Sequence, residues 1–307
     1  CIHIFAGPFD FKDLVIAFAL LSSLILNIKY YILTEPYSHI PSGLLSNDNF
    51  IKNYIRYIFR PIKYKLIWTI LRKKVQGVFA ISDKAKRQLL KFNVSENKIF
   101  SFGYYVPPTT KIKNKRFIKD KTDTDFKLKL IFVGTLNYTK GIDLLIDAVN
   151  IINRKDQKIA LDIFGPAQSL GSFNFTHFTR YCGILPPEKV QTKISEYDFL
   201  VLPSRYDGWG VVINEALIVE TPVICSDQAG ASTLIKKWNC GFCYKHQKLS
   251  DLINALSYVY ENIESLQETY KLSLNEVNKF ITPKYAANYI HLCITDPMKR
   301  NNIKWHN

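Results

Sequence analysis

The chain is poor in acid. Against 41 lysines and arginines it has 26 aspartates and glutamates, a formal net charge of +15 over 307 residues. That imbalance calls for an anionic partner, and a nucleotide, a nucleic acid or a membrane surface would each serve. No recognised nucleic-acid module accompanies the charge, so nucleic acid ranks last. Cysteine is scattered (1, 182, 225, 240, 243, 293), with a single C-x-x-C at Cys240 and Cys243. Without a second pair or suitably spaced histidines, strand-edge thiols are favoured over zinc, and a cytoplasmic setting follows. The longest apolar run, 14–28, covers fifteen residues, short of the roughly twenty that cross a bilayer. A helix buried on a sheet is expected there. There is no G-x-S-x-G elbow and no Ser/His/Asp arrangement, so no protein nucleophile announces itself. An initiating methionine is also missing. The chain opens at Cys1 in a strand-like run, which suggests a piece lacking its true start.

What is present is an alternation. With 47% apolar and 22% charged residues the chain reads as globular and long enough for two domains. Short apolar or β-branched runs at 1–5, 29–34, 77–82 and 98–102 are separated by helix-like stretches, one of them at 83–92 behind a capping Ser82-Asp83 pair. A basic, aperiodic stretch at 111–126 has linker composition. The alternation restarts with strands at 127–134, 158–165, 178–183, 198–203 and 221–226, and helices near 141–153, 186–196, 211–219, 249–262 and 283–293. The pattern predicts an α/β fold of two doubly wound, Rossmann-like domains facing a cleft. The first, 1–110, is expected to be incomplete, and the second spans 127–282. A helix and tail over 283–307 have the option of crossing back to the first.

In an open parallel sheet, ligands bind beyond the carboxyl ends of the strands. Two strand ends carry chemistry. After 198–203 comes Asp207-Gly208-Trp209-Gly210, then a helix starting near Val211 and bearing Glu215. Gly208 and Gly210 let an anion approach the backbone, and the helix start points its N–H groups and dipole there. The two acids suit hydroxyl groups flanking a diphosphate; the alternative is a capping Asp207 and a solvated Glu215. After 127–134 comes Gly134-Thr135, then Lys140-Gly141 at a helix start. A lysine there is unfavourable unless an anion compensates it, so Lys140 reads as a diphosphate clamp, or else as a surface lysine.

These residues carry a family resemblance. The G-x5-K-G turn, "YCGILPPEKV", and the acid-x7-acid motif followed by "EALIVETPVICSDQAGAS" resemble the donor domain of retaining GT-B glycosyltransferases of the family 4 type (glycosyl transferases group 1), in a DGWG variant. Residues 76–107 resemble the end of the acceptor domain. The resemblance implies Lys140 on the diphosphate, Asp207 on the donor sugar, Glu215 on the ribose, and the backbone of Gly210 and Val211 at the phosphates. It implies a nucleotide-diphosphate-sugar donor, a lipid-linked or surface-polysaccharide acceptor, no cofactor and no metal. The first acid is Asp207 where the family usually has Glu. Thr135 replaces a phosphate-binding arginine, for which nearby Arg205 is the candidate substitute. From the other domain, Glu35 is the candidate base, with His39 behind it; a plain loop acid is the alternative for Glu35. A catalytically weak binding subunit is the rival function.

Residues 50–74 interleave cations at 52, 56, 60, 63, 65 and 72–74 with aromatic and aliphatic residues, and Pro61 is expected to divide them. Two readings remain open: an interfacial helix on anionic lipid, or an amphipathic helix packed on the sheet. The first, together with the basic tail, implies a cytoplasmic protein peripheral on the inner face of the membrane.

Overall fold

The structure, a computed structural model, describes residues 3–7, 14–38, 50–108, 126–154, 158–167, 170–171, 173–246 and 248–296. The expected linker at 111–126, apart from Phe126, and the basic tail lie outside the described residues, as does His39. Two compact units divide the chain, Cys1–Gly103 and Tyr104–Asn307.

The first unit runs β1 (Ile4–Ala6), α1 (Leu14–Ile25), β2 (Tyr30–Thr34), α2 (Phe50–Leu71), β3 (Val75–Ile81), α3 (Ser82–Lys91) and β4 (Ile99–Phe102). Its strands lie in the order β1-β2-β3-β4, all parallel. Right-handed crossovers advancing in one direction put successive helices on one face. One cluster accordingly joins Leu20 of α1, Trp68 and Leu71 of α2, and Leu89 of α3 over Tyr30, Ile32, Val78 and Ala80. Residues of alternate parity face the other way, where Phe79 packs on Phe100 and Phe102. Two expectations need correcting. The α2 helix is continuous through Pro61. Ser82 does not cap α3: it is the first helical residue, with φ 78°, and neither Ser82 nor Asp83 makes a side-chain capping bond. Asp83 instead sits in the first turn, where an acid complements the dipole.

The second unit contains β5 (Leu128–Val133), α4 (Ile142–Asn153), β6 (Ile159–Phe164), β7 (Thr179–Tyr181), α5 (Pro187–Ile194), β8 (Phe199–Leu202), α6 (Val211–Ile218), β9 (Val223–Ser226), α7 (Ser232–Trp238), β10 (Gly241–Tyr244), α8 (Leu249–Glu261), α9 (Ile263–Val277) and α10 (Pro283–Thr295). The sheet order is β10-β9-β8-β5-β6-β7, all parallel. From β5 the chain walks outward through β6 to β7, then returns to place β8 on the other side of β5. The reversal between β5 and β8 is the topological switch point, the place beyond which ligands of open parallel sheets bind. Strands covered on both faces need unbroken apolar runs, and all four residues of β8 and of β9 are buried. The elements β10, α7 and α9 have no counterpart in the periodicity. They are respectively four, seven and fifteen residues long, and the first two are too short to show a period. Among the described residues, no helix is long and apolar enough to cross a membrane.

Buried Asn153 closes α4 onto β6. Its Nδ2 donates to the Ile159 carbonyl and its Oδ1 accepts from the Ile159 N–H, each at 2.9 Å. Asn153→Ala strands both backbone groups in the interior. It is expected to cost about 2–4 kcal/mol, read as a lower urea midpoint with an unchanged m-value.

Candidate functional site

The two loops that leave the switch point are stitched together by backbone before any side chain is considered. After β5, Asn137 caps a single 3₁₀ turn, Tyr138–Lys140, by accepting from the Lys140 N–H with its side chain at 3.0 Å. Gly141 follows with φ 69° and opens α4. After β8, the Arg205 and Tyr206 N–H groups both donate to the Thr139 carbonyl, at 2.9 and 3.2 Å. A Cβ on Gly141 would lie 2.3 Å from the Pro203 carbonyl oxygen. Only a glycine allows both that approach and that φ.

The stitched loops bring Lys140 and Asp207 together. Lys140 Nζ donates to Asp207 Oδ2 at 2.5 Å, with the two side chains 28% and 11% exposed. Asp207 is fixed from behind: its N–H donates to the Gln228 carbonyl at 3.1 Å, and its own carbonyl accepts from the Gly230 N–H at 3.2 Å. Asp207 is no helix cap. The cap of α6 is Gly210, with φ 89° and no side-chain capping bond. A Cβ there would press on Leu202 at 2.8 Å and meet Asp207 Oδ2 at 3.4 Å, so the glycine keeps the start of α6 close to the acid. Gly208 is half-buried, Val211 exposed and Thr135 exposed. The Gly134 N–H donates to the Phe164 carbonyl at 2.9 Å, holding the start of the first loop on β6.

Glu215 lies one turn into α6, half-buried, and no bonding partner of its carboxylate is described. Burial alone pushes it up to about 7, so the solvated alternative does not describe it. Arg205 is engaged elsewhere. Its guanidinium donates to both Asp143 carboxylate oxygens at 2.7 and 2.6 Å and to the Tyr138 carbonyl at 2.7 Å, and it stacks 3.8 Å from the Tyr138 ring centroid. It braces the Lys140 turn from the Asp207 loop. Glu35 belongs to the other unit, exposed just after β2.

Several contributors escaped sequence reasoning. Trp209, between the two glycines, is buried; its Nε1 donates to Asn214 Oδ1 at 2.7 Å, and Asn214 Nδ2 donates to the Tyr104 carbonyl at 2.9 Å. It anchors the loop from within. Asp143 has one available signal, its place in the first turn of α4 three residues after Lys140. His246, beyond β10, has its N–H on Asp227 Oδ1 at 3.1 Å, and its pKa is held down by burial and by Arg205. Among the described residues no cluster of three or more metal-ligating side chains occurs.

Chemically, the arrangement offers one ammonium and one helix N-terminus for an anion, beside two carboxyls able to accept hydroxyl protons.

A family model described as "Glycosyl transferases group 1" matches residues 113–272, just over half of the chain. The capsular polysaccharide biosynthesis glycosyltransferase CapM of Staphylococcus aureus is 27% identical over 207 residues, covering 62% of this chain and 54% of that protein. The poly(ribitol-phosphate) alpha-N-acetylglucosaminyltransferase of Staphylococcus aureus (strain COL) is 23% identical over 231 residues, 71% of this chain and 44% of that protein. A crystal structure of Anabaena Alr3699/HepE in complex with UDP is similar with a TM-score of 0.70 at 12% identity, over 95% of this chain and 78% of that one. At that identity the likeness concerns the fold, which is GT-B with two Rossmann-like domains. The chain spans about half the length of the curated relatives it matches.

Two outcomes follow from the geometry. A carboxyl raised by burial favours the folded state while protonated. It therefore costs stability as pH rises from its unfolded value through about 7. Without ligand, Glu215→Gln is expected to leave stability unchanged near pH 4 and to raise it by roughly 1–2 kcal/mol at pH 8, discounted for partial exposure. Urea titrations of both proteins across pH check the sign. Arg205→Ala removes the brace and is expected to lower stability by about 1–3 kcal/mol in the same assay, with Arg205→Lys recovering only part because it lacks the fork.

Proposed function

The chain belongs to the glycosyl transferases group 1 family, and from that premise we propose a retaining, family 4 type transfer of a sugar from a nucleotide-diphosphate donor to a lipid-linked or surface-polysaccharide glycan. The observation that carries this reading is the Lys140–Asp207 pair at the switch point, beside the glycine-capped start of α6. Before donor binds, each charge neutralises the other. An entering diphosphate takes Lys140, and the freed Asp207 accepts from hydroxyls of the donor sugar. The Gly210 and Val211 backbone meets the phosphates, and Glu215 accepts from the ribose diol. That last contact favours the ionised carboxylate and offsets the burial that raises it.

In the reaction, the bond from the anomeric carbon to the diphosphate oxygen breaks and the acceptor oxygen bonds to that carbon on the same face. The acceptor proton passes to the departing diphosphate, and Glu35 is the candidate to orient the acceptor hydroxyl by accepting from it before that transfer. Charge accumulates on the leaving group, where Lys140 and the helix dipole stabilise it, and no metal is invoked. The names of the Staphylococcus relatives, in capsule and poly(ribitol-phosphate) glycosylation, and the UDP held by the Anabaena protein support this donor and acceptor class. A cytoplasmic location goes with it.

A second reading, a weak GT-B binding subunit, draws on Thr135 standing where the family has an arginine and on Arg205 being committed to Asp143. In the full-length protein, Lys140→Ala and Glu215→Ala are each expected to lower donor hydrolysis or transfer by about 10²–10³-fold. Unchanged turnover in both would refute the site. Calorimetric binding of a nucleotide sugar by the wild type without any turnover would favour the binding subunit.

A further inference from the structure

The first unit has an apolar surface that its own core does not use. On α2 the buried side chains Ile67, Trp68 and Leu71 form one stripe into the core. On the opposite side of the same helix, Ile55, Ile58, Phe59, Ile62, Leu66 and Ile70 are 46–62% exposed. At 3.6 residues per turn, spacings of three and four align these six into a second stripe about half a turn from the first. A solvated outer face would be polar at these positions. This one is apolar.

Charge borders the stripe. Lys63 lies to one side of it, Lys65 and Arg72 to the other, all exposed, and Lys73 follows in the next turn. No aspartate or glutamate occurs between Asp48 and Asp83. The neighbouring α1 carries no charge at all and exposes Phe18, Leu21 and Ile25, while its Leu20 enters the same core cluster as α2. The two helices thus pack on one sheet and both present apolar side chains outward.

We propose that the outward face of α2, continued by α1, docks on an anionic lipid surface, with the apolar stripe in the acyl boundary and the flanking lysines and arginines at the headgroups. Such a helix lies in the interface plane rather than across the bilayer. Length excludes spanning for α1, of twelve residues, and the internal charges exclude it for α2. A second copy of the chain is a poorer occupant. An isologous pairing sets the same surface against itself, and here that brings cationic borders together with no acid in the segment to pair them. An acidic lipid surface answers both the stripe and its border.

The test is flotation of the full chain with phosphatidylcholine vesicles, with and without phosphatidylglycerol. The wild type is expected to float with the anionic vesicles, to stay behind with the neutral ones, and to be released by added salt. Lys63→Glu/Lys65→Glu is expected to weaken partitioning by about tenfold or more, since each basic residue near an anionic surface contributes on this scale. Ile62→Glu/Leu66→Glu attacks the stripe and is expected to abolish flotation. Both variants alter exposed positions, and thermal melting equal to the wild type shows that folding is intact. Equal recovery with both vesicle types, or flotation unaffected by either variant, would overturn the proposal. So would light scattering showing a dimer that Ile62→Glu/Leu66→Glu dissolves, because the face would then belong to a second copy.

Discussion

One oxygen organises the second unit. The Thr139 carbonyl accepts from two successive N–H groups of the loop after β8, and that pair of hydrogen bonds ties the two strand ends at the switch point into one surface. The other arrangements at the site need this tie. Gly141 must be a glycine because the tie draws Pro203 against it, and Lys140 reaches Asp207 because Thr139 and Arg205 are held at hydrogen-bonding distance. Arg205 adds a second tie through Asp143 and the Tyr138 carbonyl. The positive and negative groups are then a consequence of backbone geometry, set before any ligand arrives.

Electrostatics gives this surface its character. A partly buried ion pair returns little net stability, because desolvation of both charges opposes their attraction. What the Lys140–Asp207 pair does provide is a pair of charges in reserve, each ready to exchange its partner for one on a ligand. Glu215 makes the same point from the opposite direction. Its burial with no described bonding partner lifts it to about 7, a cost to the empty protein that hydroxyl donors would offset. Such costs concentrate where a protein binds rather than where it only folds.

The first unit is built on a different economy of apolar surface. Its sequential strand order puts α1, α2 and α3 on one face, and α2 gives their shared core only one of its stripes. The second stripe of α2 is surplus to folding. In β8 and β9 of the second unit, by contrast, every residue is buried.

Periodicity alone determined the alternation of strands and helices, the parallel α/β class, and which strand ends carry Lys140, Asp207 and Glu215, because local spacing and glycine placement are written residue by residue. It could not supply β10 or α7, whose four and seven residues show no period, nor the continuity of α2 through Pro61. Ser82 reads as a cap by residue type, whereas capping depends on φ and on where the first turn begins. The partners were beyond reach for a related reason. That Arg205 would choose Asp143, that Asn214 behind Trp209 would reach the Tyr104 carbonyl, and that the apolar residues of α2 would divide into a buried and an exposed stripe are decisions made between residues distant in the chain or across a helix. Only packing, which sets distance and access to water together, could make them.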